Sequence, residues 1–238
     1  MSASSSVLDA LAGVHDPELD EPITALGFVT SCRVSSEGDV DLVLQLPTPQ
    51  CAPNLAFLMA ADARRVVRRL PGVREVTVRL HDHYTGREIN AAINGDEDFA
   101  GAFPGETTGD EDLGALRELF LRKALVGRLS RLCEAMLQAG RTAEEITALH
   151  LEDLPDVPDA RRTRELRRQL ELPHDPHDPA FILPTGERIA AGELTRWLRT
   201  ARLVRMSLEV NGGICRSLLR VHRGIQIEDP EEEEALPR

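Results

Sequence analysis

The sequence predicts an α+β fold: a small mixed three-stranded sheet with helices on one face, followed by an all-helical domain. Three observations carry this expectation. Apolar residues alternate over 28–34, 40–46 and 73–80, the period of a strand. Between the second and third of these runs they recur at helical spacing. Beyond about residue 111 the apolar patterns are helical. The expected parts are an α/β domain over 1–84, a connecting loop over 85–110, a helical domain over 111–227 and an acidic, disordered tail over 228–238.

Each element has a local reason. Ser6 to Leu11 opens as a short amphipathic helix and stops at Gly13. Val14 to Leu19 reads as a turn, because Pro17 disfavours the helical conformation at Asp16. Phe28 to Val34 alternates as a strand, Ser36-Glu37-Gly38-Asp39 supplies a hairpin turn, and Val40 to Leu46 returns. Pro47-Thr48-Pro49-Gln50 breaks that strand. Leu55, Leu58, Met59, Ala63, Val66, Val67 and Leu70 then mark a helix from about 52 to 70, ended by Pro71-Gly72. Val76, Val78 and Leu80 lie on one side of a third strand. The stretch after His81-Asp82-His83-Tyr84 is rich in Gly, Asn and Asp and reads as a connection. Leu113 to Leu132 marks a long helix ending near Gly140, and Thr142-Ala143-Glu144-Glu145 is a capping box for a short one. Asp159 to Leu170 is strongly charged. Leu194 to Leu208 forms another apolar face, separated by Asn211-Gly212-Gly213 from Ile214 to Leu219.

Composition excludes several function classes. Apolar residues make up 42% of the 238-residue chain and charged residues 29%, enough for a core and for a solvated surface. The net charge of −12 disfavours a nucleic-acid binder, which needs a basic face. No apolar run approaches the roughly 20 residues that span a bilayer. The polar start, Met1 to Ser6, lacks the pattern of a signal peptide. A cytoplasmic location with free thiols is therefore expected. The four cysteines include no CxxC pair, which disfavours a preformed zinc site. Gly-rich phosphate loops and dinucleotide fingerprints are absent from the sequence.

Cys51 is the first candidate for chemistry. It lies between a strand end and the first turn of a helix, with Pro53 suited to a helix start. A helix N-terminus carries unpaired N–H groups and partial positive charge, which favour the thiolate that binds metals. A buried, inert cysteine fits the same pattern. Cys32 and Cys133 read as core residues, while Cys215, after Asn-Gly-Gly, is in an exposable place and its role stays open. His81 and His83 share a strand face if the strand reaches that far, and with Asp16, Glu18 and Cys51 they offer iron a mixed N/O/S ligand set. Exposed loop histidines and turn-capping carboxylates fit equally. His174-Asp175-Pro176-His177-Asp178-Pro179 has metal-like composition but reads as a solvated linker.

Three motifs in order resemble the SufT/PaaD-type family of iron–sulfur cluster assembly factors. They are Val14-His15-Asp16-Pro17-Glu18-Leu19 with Pro22-Ile23 and Leu26-Gly27-Phe28-Val29; Leu46-Pro47-Thr48-Pro49-Gln50-Cys51; and Leu70-Pro71-Gly72-Val73 with Val76 to Leu80. The resemblance covers about the first 80 residues. It implies the family's small α/β fold and a role in maturing metalloproteins. It carries cluster or metal transfer to Cys51, and a site-shaping role to Asp16, Glu18 and Thr48. The chain departs from the family pattern at Ala52, where many relatives have Pro or Gly. His81-Asp82-His83-Tyr84 also replaces a Trp- and Met-containing segment. The longer arrangement more distantly resembles accessory proteins of actinobacterial soluble di-iron monooxygenases.

The implied cargo is iron or an iron–sulfur cluster, held transiently. The implied partners are a client metalloprotein and other assembly proteins, with no nucleic acid and no membrane; a homodimer is compatible. Two alternatives stay open. One is a metal-free adaptor or chaperone for a client such as a di-iron monooxygenase. The other is an enzyme with Cys51 as nucleophile, for which His15 is the only nearby base in sequence. A non-enzymatic role is the expectation.

Overall fold

The computed structural model describes residues 3–105 and 113–224. The acidic tail expected over 228–238 lies outside the described residues. The chain divides into two units. Among the described residues, one comprises 3–105, 113–116 and 212–224, and the other 117–211.

In the first unit, α1 (Ala3–Leu11) turns its apolar side inward through Val7 and Leu11. Strand β1 (Val29–Val34) pairs antiparallel with β2 (Asp39–Gln45), and β2 pairs parallel with β3 (Glu75–His81). The sheet is therefore mixed, in the order β1-β2-β3. The parallel pair needs a crossover, supplied by α2 (Pro53–Arg68). Alternation decides what is buried: Val40, Leu42 and Leu44 on β2 join Val76, Val78 and Leu80 on β3. Ala56, Phe57, Met59, Ala60, Ala63 and Val67 of α2 belong to the same apolar core. The hairpin needs Gly38: its φ is +90°, and a Cβ there would sit 2.2 Å from the Gly72 carbonyl oxygen.

The structure differs from the sequence expectation after β3. Residues 86–94 form helix α3 (Gly86–Asn94), followed by the short α4 (Phe99–Ala102), where a connecting loop was expected. The asparagines that suggested a loop have another task. Strand β3 is an edge, with backbone groups that need partners. Asn90 accepts from the Leu80 N–H at 2.7 Å and donates to the Leu80 carbonyl at 3.1 Å. Asn94, one turn later, does the same for Val78 at 3.0 and 2.8 Å. The two side chains stand where a fourth strand would, because i and i+4 on a helix meet i and i+2 on a strand.

The second unit is helical. Helix α5 (Leu113–Gln138) lies in it from Arg117 onward, followed by α6 (Ala143–Ala148), α7 (Pro158–Gln169) and the start of α8 (Ala191–Arg223). The capping box at Thr142 and Glu145 is formed. The charged stretch of α7 is not a solvated face throughout. Arg167 is fully buried; its guanidinium donates to the carbonyls of Pro173, Pro179 and Ala180. Burial holds its pKa down at about 10. Asp159, also buried, is clamped by Arg128 and, in bidentate fashion, by Arg131. The His174–Pro179 stretch does not behave as a linker. Asp178 and Pro176 accept from the Leu151 and Glu152 backbone, and Phe181, Ile182 and Ile189 enter the core.

Asn211-Gly212-Gly213 does not interrupt α8, which runs through it. From Gly212 onward the helix belongs to the α/β unit rather than to the helical one, which differs from the boundary expected from sequence. The physical reason lies further along. Leu219 is fully buried in the first core, and burying a leucine contributes about 2 kcal/mol. That is comparable to the cost of two helical glycines, about 1 kcal/mol each.

Candidate functional site

Cys51 is the residue before Ala52, the N-cap of α2, and is half-buried. Ala52 makes no side-chain cap, and Pro53 opens the helix. The helix therefore presents its positive end beside the cysteine without a capping side chain at Ala52. The Cys51 N–H donates to the Thr48 carbonyl at 3.3 Å, and the Thr48 hydroxyl lies 3.6 Å from the Cys51 sulfur. A hydroxyl at that distance can donate to a thiolate.

His83 holds the same loop from the other side. Its Nε2 donates to the Cys51 carbonyl at 2.8 Å, while Nδ1 accepts from the Thr85 N–H at 3.3 Å and hydroxyl at 3.1 Å. Only the neutral tautomer protonated at Nε2 satisfies all three. Partial burial lowers the His83 pKa against the pull of the Cys51 carbonyl, which keeps that form at neutral pH. Strand β3 ends at His81, and Asp82 has a positive φ of 52°. The two-residue alternation expected to place His81 and His83 on one face therefore stops before His83. His81 is exposed, and His83 is a positioning residue with both ring nitrogens engaged. Among the described residues, no group of three or more His, Cys, Asp or Glu side chains is arranged to hold a metal ion.

Asp16 shapes the turn between α1 and β1. It is buried, and its Oδ1 accepts from the N–H groups of Glu18 at 2.8 Å and Leu19 at 3.1 Å. Burial pushes its pKa up to about 6, against those two bonds, with the charges of Glu18 and Glu21 adding to the rise. Glu18 is half-buried on the turn that Asp16 closes. His15 directs Nδ1 to the Gly13 carbonyl.

Sequence reasoning left the role of Cys215 open. Cys51 and Cys215 both pack, half-buried, against the first core. Burial pushes the Cys215 thiol up to about 12, and Asp16, Cys51 and Glu18 add to the rise. The next residue, Arg216, donates to Glu21 on the Asp16 turn at 2.8 Å. No sequence signal could have found this, since 164 positions separate the two cysteines (215 − 51). Cys32, on β1, and Cys133, fully buried in the other unit, are elsewhere; burial raises both thiols, Cys133 to about 11.

A family model described as iron–sulfur cluster assembly protein matches residues 4–78, the stretch that carries Asp16, Thr48 and Cys51. An uncharacterized protein of Methanocaldococcus jannaschii is 32% identical over 93 residues, 39% of this chain and 96% of that protein. The chain belongs to the iron–sulfur cluster assembly protein family. Two iron–sulfur cluster carrier proteins are also similar. That of a Synechocystis strain is 34% identical over 80 residues, 34% of this chain, and that of Deinococcus radiodurans 35% over 78 residues, 32% of this chain. The chain spans only 22% and 21% of the length of these carriers. The family model's match ends at residue 78, so the helical unit falls outside it.

Proposed function

We propose that this protein is a maturation factor that passes iron or an iron–sulfur cluster to a client metalloprotein through Cys51, without being an enzyme. The observation that carries the reading is the position of Cys51 within the family-matched stretch: half-exposed, just before the N-terminus of α2, with a hydroxyl at its sulfur and a histidine fixing its loop. A transfer site must hold its cargo well enough to receive it and loosely enough to release it. Thiolate suits iron–sulfur cargo. A chain that supplies fewer than the four ligands such cargo takes leaves positions for the client's own cysteines. Thr48 orients the sulfur, His83 fixes the loop and Asp16 closes the turn between α1 and β1. The relatives named as iron–sulfur cluster carriers support the same cargo.

The test is co-expression of the chain with metalloprotein clients of its host, reading client metal content and activity. Cys51→Ser should leave the fold intact and abolish client maturation, because a serine hydroxyl stays protonated near neutral pH and ligates iron poorly. Asp16→Ala should impair it more mildly. Full client metallation with a stably folded Cys51→Ser protein would overturn the thiol reading in favour of a metal-free adaptor. A cytoplasmic setting belongs to the same proposal. Among the described residues, no helix is long and apolar enough to cross a membrane.

A further inference from the structure

We propose that Cys215, carried by the last turns of α8, is a second sulfur ligand at the Cys51 site, so that the two thiols together grip a soft metal ion or one edge of a cluster. The inference rests on the reading of Cys51 as a transfer thiol and adds a ligand from outside the family-matched stretch.

The geometry comes from how residues 212–224 are held. Arg216 donates to Glu21 at 2.8 Å, and both partners are largely buried. Glu21 lies on the turn closed by Asp16, whose N–H donates to the Glu21 carbonyl. Leu219 is fully buried in the first core. Arg223 donates to the Gln45 carbonyl at 2.8 Å, at the end of β2 just before the Leu46–Cys51 loop. The helix is thus fastened to the Asp16 turn at one point and beside the Cys51 loop at another. Cys215 and Leu219 are four residues apart and lie on the same face, so the thiol points toward the α/β unit. The two segments to which those bonds fasten the helix, the Asp16 turn and the end of β2 before Cys51, carry the residues the family resemblance marks.

A protein that needed only to cover this apolar ground would place a leucine at 215, as it does at 219. A thiol on this face, together with Cys51, instead offers two soft donors that lose their protons as a soft ion binds. Two sulfur ligands from one chain leave the remaining positions of a tetrahedral ion or cluster edge for the client.

The test uses the full chain, reduced and free of oxygen, with cadmium ion as the probe, read by thiolate-to-cadmium charge-transfer absorption. The wild type should saturate with the intensity of two thiolates. Cys51→Ala and Cys215→Ala should each lose about half of it and bind roughly tenfold more weakly or worse. Cys32→Ala should behave as wild type. If Cys215→Ala keeps wild-type intensity and affinity while Cys51→Ala loses binding, the inference fails and the Cys51 reading stands. Loss of neither signal sinks both. Dibromobimane, fluorescent once it bridges two thiols, gives a second readout in the unmutated protein. Peptide mass spectrometry should place the bridge between Cys51 and Cys215, and absence of that bridge overturns the proposal even if a variant folds poorly.

Discussion

Asp16 is a carboxyl group kept away from water, and its pH behaviour follows. Its pKa is about 6 in the folded chain, against an ordinary value of 3.8. Between these values the folded state holds more protons than the unfolded one, so stability falls as pH rises from about 4 to about 6 and levels off above. Asp16→Asn keeps an acceptor for the Glu18 and Leu19 N–H groups and removes the charge. It should raise stability at pH 7 by on the order of 1–3 kcal/mol and flatten that slope, as measured by urea unfolding at several pH values. Arg167 is the opposite case, a buried cation that carries three carbonyls of its unit. Arg167→Met should cost on the order of 2–4 kcal/mol, because it strands buried acceptors. A loss below 0.5 kcal/mol would show that those carbonyls find other partners. Among the thiols, half-exposed Cys51 should be alkylated well before Cys133, which is fully buried with its thiol pushed up to about 11. Timed alkylation read by peptide mass spectrometry checks the order.

At the scale of elements, α3 guards the edge of β3. Asn94→Ala removes both partners of the Val78 backbone groups and should destabilise the α/β unit by about 1–3 kcal/mol. Hydrogen exchange at the Val78 amide should rise with it; an unchanged amide would mean that water serves as well as the side chain. Helix α8 is weak where its glycines fall. Gly213 sits in the helix with open space at its Cβ position. Gly213→Ala should therefore stabilise the chain, by up to about 1 kcal/mol. At Gly127 the same change meets Leu208 Cδ1 at 3.0 Å, so its gain should be smaller or absent. The three strands, α2 and the capped α6 were legible because apolar period and turn chemistry are local. Helix α3 was not, because Asn and Gly favour loops unless a strand edge offers the asparagines partners.

For the whole molecule, the informative feature is that the α/β unit is completed from the far end of the chain. Deleting residues from Gly212 onward removes Leu219 from the first core and the Arg216 partner of Glu21. The melting temperature of that unit should fall by several degrees, as expected for about 2 kcal/mol in a domain of this size. A deletion that melts like wild type would show that this helix end is not part of the unit. The sequence by itself determined the sheet, the crossover helix, the family and the place of Cys51, because each rests on residues close together in the chain. It also allowed His83 to be read as a ligand. Only the tertiary structure decided otherwise, by placing the Cys51 carbonyl and Thr85 on its two nitrogens. Tertiary structure alone fastened the helix that carries Cys215 to the α/β unit, through Glu21 and the first core, since no period or spacing records which distant helix face a core will bury.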